Sequence, residues 1–221
     1  MGEGLLSSKQ APHPEKDVTV LDKEVFKIGM NASEVVESIF AIHGVEYFSY
    51  TKYNLASSYP MHSDQPLLWS GWSGMNEIQE LSKKIYNDSA EEYTIEGLDI
   101  IVCEILGIGS KIRMREGVKQ LRMLDFHFSE QEFNIRMIQD IGLPPGVILR
   151  TDQSYHYYGF DFIDKGDWRD WITKLQTIDK NKELFGWGYL GLCLDRGYSA
   201  LRVYGYPGTG KEKTPVVVSI I

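Results

Sequence analysis

The sequence predicts an α+β fold built on a mostly antiparallel sheet. Segments with helical periodicity and β-prone segments alternate irregularly along the chain, without the regular alternation that a parallel α/β sheet requires. One pair of β-prone runs is joined by a short glycine turn, which is typical of a hairpin. Hydrophobic residues make up 43 % of the chain and charged residues 24 %, which is ordinary for a globular protein.

The length of 221 residues leaves room for one substantial domain with an appendage. We expect residues 1–20 to form a flexible N-terminal segment, because this stretch is polar and contains two prolines. Residues 21–221 are predicted to form a single α+β domain. Its N-terminal part is predicted to span 21–110 and its core 111–221.

The first elements follow from capping and periodicity. Asn31, followed three residues later by Glu34, predicts the start of a helix over 32–43 that ends at Gly44. The next predicted elements are a strand over 45–53, a loop through Gly74, a helix over 75–86 and a strand over 98–108. A hairpin over 111–128, which turns at Gly117, is followed by a helix from the capping box of Ser129 and Glu132 to Gly142. The remaining predicted elements are strands over 147–150 and 154–163, a helix capped by Asp167, and strands over 201–204 and 216–221.

Composition excludes several classes of protein. The net charge of −8 excludes a chain-wide basic coat for nucleic-acid binding, although a local basic stripe remains compatible with it. No apolar run approaches the roughly 18 residues that span a membrane, and the N-terminus lacks the apolar centre of a secretory signal. Cys103 and Cys193 stand singly in apolar runs, so we expect reduced core cysteines in a cytoplasmic protein. The sequence does not indicate the oligomeric state.

Residues 205–211 match the Gly-x-x-x-x-Gly-Lys start of a phosphate-binding loop, but we reject this interpretation. Glu212 follows Lys211 where a Ser or Thr would bind magnesium, and Pro215 prevents a helix from beginning there. A turn between strands is the predicted structure.

Asp125 and His127 are the first candidate chemical pair. In a strand, residues i and i+2 project from one face, so the carboxylate and the imidazole are expected side by side. Carboxylate oxygens suit Mg²⁺ or Mn²⁺, and imidazole suits Mn²⁺ better than Mg²⁺, so the pair is half of a candidate metal site. The alternative is an exposed strand end with two polar residues.

Ser154 and His156 are the second candidate pair, with Arg150 on the preceding strand. A hydroxyl, an imidazole and a guanidinium that converge at a tight turn would bind phosphate through charge-assisted hydrogen bonds. The alternative is a Tyr-rich strand with a solvated histidine. Asp179, after the Trp-rich helix, is either a ligand or a solvated turn residue, and Arg202 either a phosphate contact or a rim ion pair.

A basic stripe precedes the Asp125 strand and is opposed only by Glu116. In an acidic chain it is the best candidate for a nucleic-acid backbone track, and strand-edge cations that prevent aggregation are the alternative. The stripe consists of Lys111, Arg113, Arg115, Lys119 and Arg122.

In this order the motifs resemble those of archaeo-eukaryotic-type primases and primase-polymerases, and the resemblance covers about 118–207. The family pattern is an acidic pair on a strand, then Ser-x-His, then a hydrophobic residue with Asp, then Leu-Arg. Here the counterparts are Asp125 with His127, Ser154 with His156, Asp179, and Arg202.

The resemblance implies an RRM-like sheet with helices packed on one side. It also implies that Asp125 and Asp179 hold Mg²⁺ or Mn²⁺, while Ser154, His156 and Arg202 bind the phosphates of a nucleoside triphosphate. His127 stands where the family has a second acid, which removes one charge and one oxygen ligand from the metal site. The site is then either a single-metal or Mn²⁺-preferring variant, or one whose catalysis has decayed.

We therefore predict a primase-polymerase-like nucleotide-binding domain, which is a nucleotidyltransferase if the metal site is intact. Nucleoside triphosphates and a single-stranded DNA or RNA template are the predicted partners, with no membrane. The alternative is a catalytically decayed module that binds nucleic acid or protein on the same sheet. A structural subunit, in which the order of the motifs is coincidence, is a third interpretation.

Overall fold

The computed structural model describes residues 24–56, 70–74, 78–95, 98–128, 134–179, 184–185, 188–207, 209 and 211–221. Across these residues there are five helices: α1 (Ala32–His43), α2 (Ile78–Ser89), α3 (Ile135–Ile141), α4 (Lys165–Asp179) and α5 (Tyr189–Arg196). The strands are β1 (Tyr47–Ala56), β2 (Ser70–Gly74), β3 (Glu91–Ile95), β4 (Leu98–Met114), β5 (Gly117–Phe126), β6 (Gly146–Arg150), β7 (Tyr155–Ile163), β8 (Ala200–Arg202) and β9 (Val216–Ile220).

The strands of the described chain form one sheet, in the order β2-β1-β4-β5-β7-β6-β9. Strands β3 and β8 also pair with β4, and every pairing in the sheet is antiparallel. The predicted class, α+β with a mostly antiparallel sheet, is confirmed. The predicted boundary at residue 110 falls inside the 17-residue strand β4, so the two parts share a strand.

The helices pack against both faces of the sheet, whereas the sequence prediction placed them on one side. Along β7, Tyr158 and Phe160 join the core formed with α1 and α2. Tyr155 and Tyr157, which point to the other face, join the core formed with α3, α4 and α5. Because β7 is apolar on both faces, it requires cover on both, and that requirement explains the difference from the prediction.

Helix α1 forms where its capping signals predict it. The Asn31 side chain accepts a hydrogen bond from the Glu34 backbone N–H, and the Glu34 carboxylate accepts one from the Asn31 N–H. Gly44 ends the helix with a φ of 63°, a left-handed conformation that favours glycine. The helix then buries Val35, Val36, Ile39 and Phe40 in the core.

Three elements were not predicted, and two helix starts differ. Strands β2 and β3 lack the apolar alternation on which the prediction depended. Helix α5 has buried apolar residues at helical spacing, Leu190 and Cys193, but its start at Gly188 has no capping side chain to signal it. Helix α4 begins at Lys165, so Asp167 lies in its first turn and does not cap it. Helix α3 is capped by Asn134, and the predicted capping box at Ser129 and Glu132 lies outside the described residues.

Both cysteines are buried and free, as the sequence predicts. None of the described helices is long and apolar enough to cross a membrane.

Candidate functional site

Asp125 and His156 lie opposite each other on the adjacent strands β5 and β7. The His156 Nε2 atom is 3.7 Å from the Asp125 Oδ1 atom, which is longer than a hydrogen bond. The Ser154 hydroxyl donates a hydrogen bond of 3.3 Å to the same carboxylate oxygen. The structure therefore brings Asp125 next to the Ser154–His156 pair, which the sequence singled out on a separate segment.

The turn between β6 and β7 sets the position of Ser154. The Thr151 backbone N–H donates to the Ser154 carbonyl oxygen at 2.9 Å, and the Ser154 N–H donates to the Thr151 hydroxyl at 3.0 Å. These two bonds close a tight turn, and they fix the serine next to the end of β5. Arg150, at the end of β6, is exposed.

Arg202 is almost fully buried and holds two remote segments together. Its guanidinium donates to the Asp152 carboxylate at 2.6 Å, and to the backbone carbonyls of Tyr204 at 2.9 Å and Lys213 at 2.8 Å. Asp152 also accepts a bond from the Lys213 N–H at 2.9 Å. The ion pair that the sequence allowed for Arg202 is present, but it is buried and does not lie at the rim. A phosphate contact stays a prediction, and it is compatible with these bonds because an arginine has five N–H donors and they use three.

Lys211 is the residue of this region that sequence reasoning missed. It ends the rejected Gly-x-x-x-x-Gly-Lys segment, and a bridge from Tyr206 to Lys211 confirms that the segment is a turn. Gly205 is required there, because a Cβ atom would overlap the Glu212 carbonyl oxygen. The pKa of Lys211 is lowered by burial and by Arg202, while Asp125 and Asp152 oppose that shift. The charge of Lys211 therefore interacts with the charges of Arg202, Asp125 and Asp152.

These residues form what we call the polar cluster, and it is nearly balanced in charge. The carboxylates of Asp125 and Asp152 balance the charges of Arg202 and Lys211. The imidazole of His156 is neutral, because burial and these two cations hold its pKa well below the usual value. The polar cluster consists of Asp125, Asp152, Ser154, His156, Arg202 and Lys211.

Asp125 is the group in the polar cluster whose charge changes most readily near neutral pH. Desolvation by the surrounding protein raises its pKa to about 6, against the opposing effects of Lys211, of the Ser154 hydrogen bond, of Arg202 and of His127. Below pH 6 the carboxyl group is mostly neutral, so the cluster then carries an excess positive charge. An anion is the ligand that such a charge balance favours.

His156 also carries a polar atom that lacks a partner. Its side chain is 6 % exposed, and its buried Nδ1 atom has no hydrogen-bond partner among the described residues. A buried polar atom without a partner is costly, and a bound ligand is one way to satisfy it.

Asp179 and His127 lie on either side of Leu184. The Asp179 carboxylate accepts the Leu184 N–H at 2.6 Å, and the Leu184 carbonyl accepts the His127 N–H at 2.9 Å. The His127 side chain is exposed, and its charge reaches Asp125. Among the described residues, however, no three Asp, Glu, His or Cys side chains form a group that could hold a metal ion. The donor set for Mg²⁺ or Mn²⁺ is incomplete there, and the metal site stays a prediction.

The predicted basic stripe divides over two faces of the sheet. Ile112 points into the core with α1, and its cross-strand partner Lys119 shares that face. Lys111 and Arg113, as the alternating residues of β4, point to the other face. Lys119 forms an ion pair with Asp164 at 2.9 Å, and Arg122 forms one with Asp161. A continuous track through all five cations therefore does not form.

Comparison with known proteins gives one match. A family model described as AEP-like, archaeo-eukaryotic primase 1D-like, matches residues 82–213. The match begins 36 residues before the 118–207 region that carries the sequence resemblance. It includes β4 and the polar cluster. The searches of curated proteins and of solved structures found no match.

Proposed function

The chain belongs to the archaeo-eukaryotic primase-like family, and we propose that it binds the phosphate groups of nucleoside triphosphates in the polar cluster. Membership in the family supports a domain that handles nucleotides. The polar cluster supplies the chemistry of a phosphate site, since it combines buried donors with cations held by the fold.

The observation that carries the proposal is the buried Nδ1 atom of His156, which has no partner among the described residues. The imidazole is neutral, so it carries one N–H, and the tautomer with that N–H at Nδ1 would donate to a phosphate oxygen. Lys211 adds an ammonium group that is partly desolvated, which strengthens its attraction to an anion. Arg202 positions both segments through its bonds to Asp152 and to the Lys213 carbonyl.

A titration with tripolyphosphate tests this proposal, because tripolyphosphate has no nucleobase that could contribute to binding. We expect Lys211→Met to weaken tripolyphosphate and ATP binding about tenfold or more, since a charge-assisted hydrogen bond is lost. Lys213→Met is the matched control, because Lys213 is exposed and only its backbone contacts the polar cluster. Isothermal titration calorimetry in EDTA gives the affinities. Equal affinity of Lys211→Met and the wild type would contradict the proposal.

The sign of the Asp125→Asn effect separates metal-free phosphate binding from ion-supported binding. Without metal, removing the carboxylate charge should strengthen ATP binding about threefold to tenfold at pH 7.5, because a nearby negative charge opposes the phosphates. The difference should disappear at pH 5, where the wild-type carboxyl is neutral. If Mg²⁺ or Mn²⁺ binds at Asp125, the variant should instead bind ATP more weakly than the wild type when the ion is present.

Nucleotidyl transfer is the second candidate function, and it is favoured by the position of Asp125 beside the Ser154–His156 strand. A bound divalent ion would activate a 3′-hydroxyl and neutralise the leaving pyrophosphate. Since the described donor set is incomplete, we derive no step through the ion. Primer synthesis and extension with Mg²⁺ or Mn²⁺ test this function in the wild type, Asp125→Ala and His156→Ala. Equal incorporation by all three proteins would remove it.

A further inference from the structure

A cavity of about 190 Å³ lies between helix α2 and the segment that follows β8. We infer that this cavity, which we call the α2 cavity, binds a small aromatic carboxylate. None of the residues of the polar cluster lines it, so it is a separate site. Its lining includes Gln79, Lys83, Tyr86, Asn87, Tyr204 and Tyr206.

One face of α2 forms the first wall of the α2 cavity. Gln79, Lys83 and Asn87 follow each other at intervals of four residues, and Ser82 and Tyr86 also line the cavity. Residues at these spacings share one face of a helix. This face is polar and aromatic although it is turned toward another segment of the protein. It therefore offers hydrogen-bonding groups where a purely structural contact would bury apolar side chains.

Hydrogen bonds hold the opposite wall at a fixed distance from α2. The Tyr206 hydroxyl lies 2.8 Å from the Ser82 hydroxyl and accepts the Leu106 backbone N–H at 3.1 Å. The Tyr86 hydroxyl donates to the Pro207 carbonyl oxygen at 3.2 Å, and the centres of the Tyr86 and Tyr206 rings are 5.5 Å apart. Because these contacts link the two walls, the α2 cavity is already formed before a ligand enters, as small-molecule sites usually are.

The size and the aromatic walls of the α2 cavity favour a ligand with one aromatic ring. An apolar protein cavity of about 150 Å³ binds benzene, so a slightly larger one has room for a ring with a short substituent. The rings of Tyr86, Tyr204 and Tyr206 all line the cavity, and aromatic rings gain specific contacts with each other in offset-stacked or edge-to-face arrangements. A flat ring therefore fits these walls better than an alkyl chain of the same volume.

The charge and the hydrogen-bond donors of the α2 cavity favour an acidic substituent on that ring. Lys83 is the one charged side chain among the described residues that line the cavity, and no described carboxylate forms an ion pair with it. Its ammonium group and the side-chain amides of Gln79 and Asn87 can all donate to carboxylate oxygens. These three residues are exposed, so the carboxylate would stay partly solvated and would avoid the full cost of burying a charge.

Glu37 determines the direction in which such a ligand would lie. Desolvation raises the pKa of Tyr204, and the negative charge of Glu37 raises it further against the effect of a hydrogen bond with Ser33. A ligand carboxylate next to Tyr204 would therefore be repelled by Glu37, whereas one next to Lys83 would be attracted. The ring then packs toward Tyr204 and Tyr206, and the carboxylate faces α2.

An NMR titration of the ¹⁵N-labelled full chain with phenylacetate tests the inference. Phenylacetate carries one ring and one carboxylate, and phenylacetamide has nearly the same shape without the charge. We expect saturable shifts of the backbone amides of residues 79–87 and 204–206, and an affinity for phenylacetate about fivefold higher than for phenylacetamide, as for a favourable exposed ion pair. Lys83→Met should remove this difference, because it removes the ammonium group that attracts the carboxylate.

Lys84→Met is the matched control for Lys83→Met. Lys84 is the next residue on α2, is exposed and does not line the α2 cavity, so this variant should bind phenylacetate as the wild type does. Asn87→Trp should abolish saturable binding, because the larger side chain would fill the open end of the cavity. Absence of saturable shifts in the wild type, unchanged binding by Asn87→Trp, or equal phenylacetate affinity of Lys83→Met and the wild type would overturn the inference.

Lys211→Met separates the α2 cavity from the polar cluster, which is itself a proposed anion site. The Tyr206 N–H donates to the Lys211 carbonyl oxygen at 2.8 Å, but Lys211 does not line the cavity. Lys211→Met should therefore keep its affinity for phenylacetate and lose affinity for tripolyphosphate, whereas Lys83→Met should do the reverse. Loss of phenylacetate binding in Lys211→Met would assign the ligand to the polar cluster and overturn the inference. Circular dichroism and thermal unfolding of each variant show whether a loss of binding reflects a loss of fold.

Discussion

Arg202 and Arg113 are the same residue type on neighbouring parts of one sheet, yet the fold uses them in opposite ways. Arg202 is 8 % exposed and donates to a carboxylate and two backbone carbonyls. Arg113 is exposed, and its guanidinium lies over the rings of Trp72 and Tyr47. The buried arginine therefore joins segments of the fold, whereas the exposed one makes weaker contacts at the surface. Burial, rather than residue type, separates the two roles.

Arg202→Met should destabilise the protein more than any other variant considered, because it removes the buried arginine. Asp152, 13 % exposed, would lose its cationic partner, and two carbonyls would lose their donor. We expect the free energy of unfolding to fall by about 3 kcal/mol, as for other buried ion pairs that lose one partner. Urea unfolding followed by circular dichroism measures it. A fall below about 1 kcal/mol would show that Arg202 does not hold these segments.

Asp125→Asn should change how the stability of the protein depends on pH. The folded-state pKa of Asp125 is raised from 3.8 to about 6, so the wild type loses stability as pH rises through that interval, because the charged form is desolvated. The neutral variant should lack this loss. Its relative stability should therefore increase from pH 4 to pH 7, by about 1 kcal/mol, a value reduced by solvent screening because the side chain is 42 % exposed. Urea midpoints across this pH range give the difference, and a pH-independent difference would be contradictory.

Arg113→Met is the matched variant on the exposed side of the comparison. Exposed cation–π contacts contribute little, so we expect a decrease in unfolding free energy of about 0.5 kcal/mol. The same urea assay as for Arg202→Met allows a direct comparison of the two arginines. Equal losses in both variants would contradict the conclusion that burial makes Arg202 the more stabilising of the two arginines.

The smallest effect is expected for Lys119→Met, which removes the surface ion pair with Asp164. The two side chains are 28 % and 68 % exposed, so solvent screens their attraction. We expect a loss of about 0.3 kcal/mol at low salt, which should vanish near 1 M NaCl. Thermal unfolding at the two salt concentrations is the measurement. A loss that persists at high salt would indicate a packing role for the lysine stem.

Local patterns predict the part of the site that lies along single strands. Ser154 and His156 are two residues apart, and the antiparallel pairing of β5 with β7 then places His156 opposite Asp125. Alternation along a strand is a backbone property, so the sequence reveals it directly. The capped helix α1 was predictable for the same reason, since all its signals lie within a few residues.

The remainder depends on contacts between distant segments. The partner of Arg202 is 50 residues away, and no spacing rule links the two. Lys211 reaches Asp125 only because its turn is held against the segment that contains Asp152. Strand β2, with the sequence Ser-Gly-Trp-Ser-Gly, has no apolar alternation and acquires its structure from backbone pairing with β1. These features require the tertiary fold before they can be recognised.

Strand β4 fixes the spacing between the polar cluster and the exposed Arg113. Its Gly107 pairs with Arg202, and its Arg113 lies six residues further along the same continuous strand. At about 3.3 Å per residue, the backbone positions of Gly107 and Arg113 are separated by roughly 20 Å. A continuous strand, and not a flexible linker, sets this distance. A ligand that extended from the polar cluster toward Arg113 would therefore have to match a distance that a continuous strand sets.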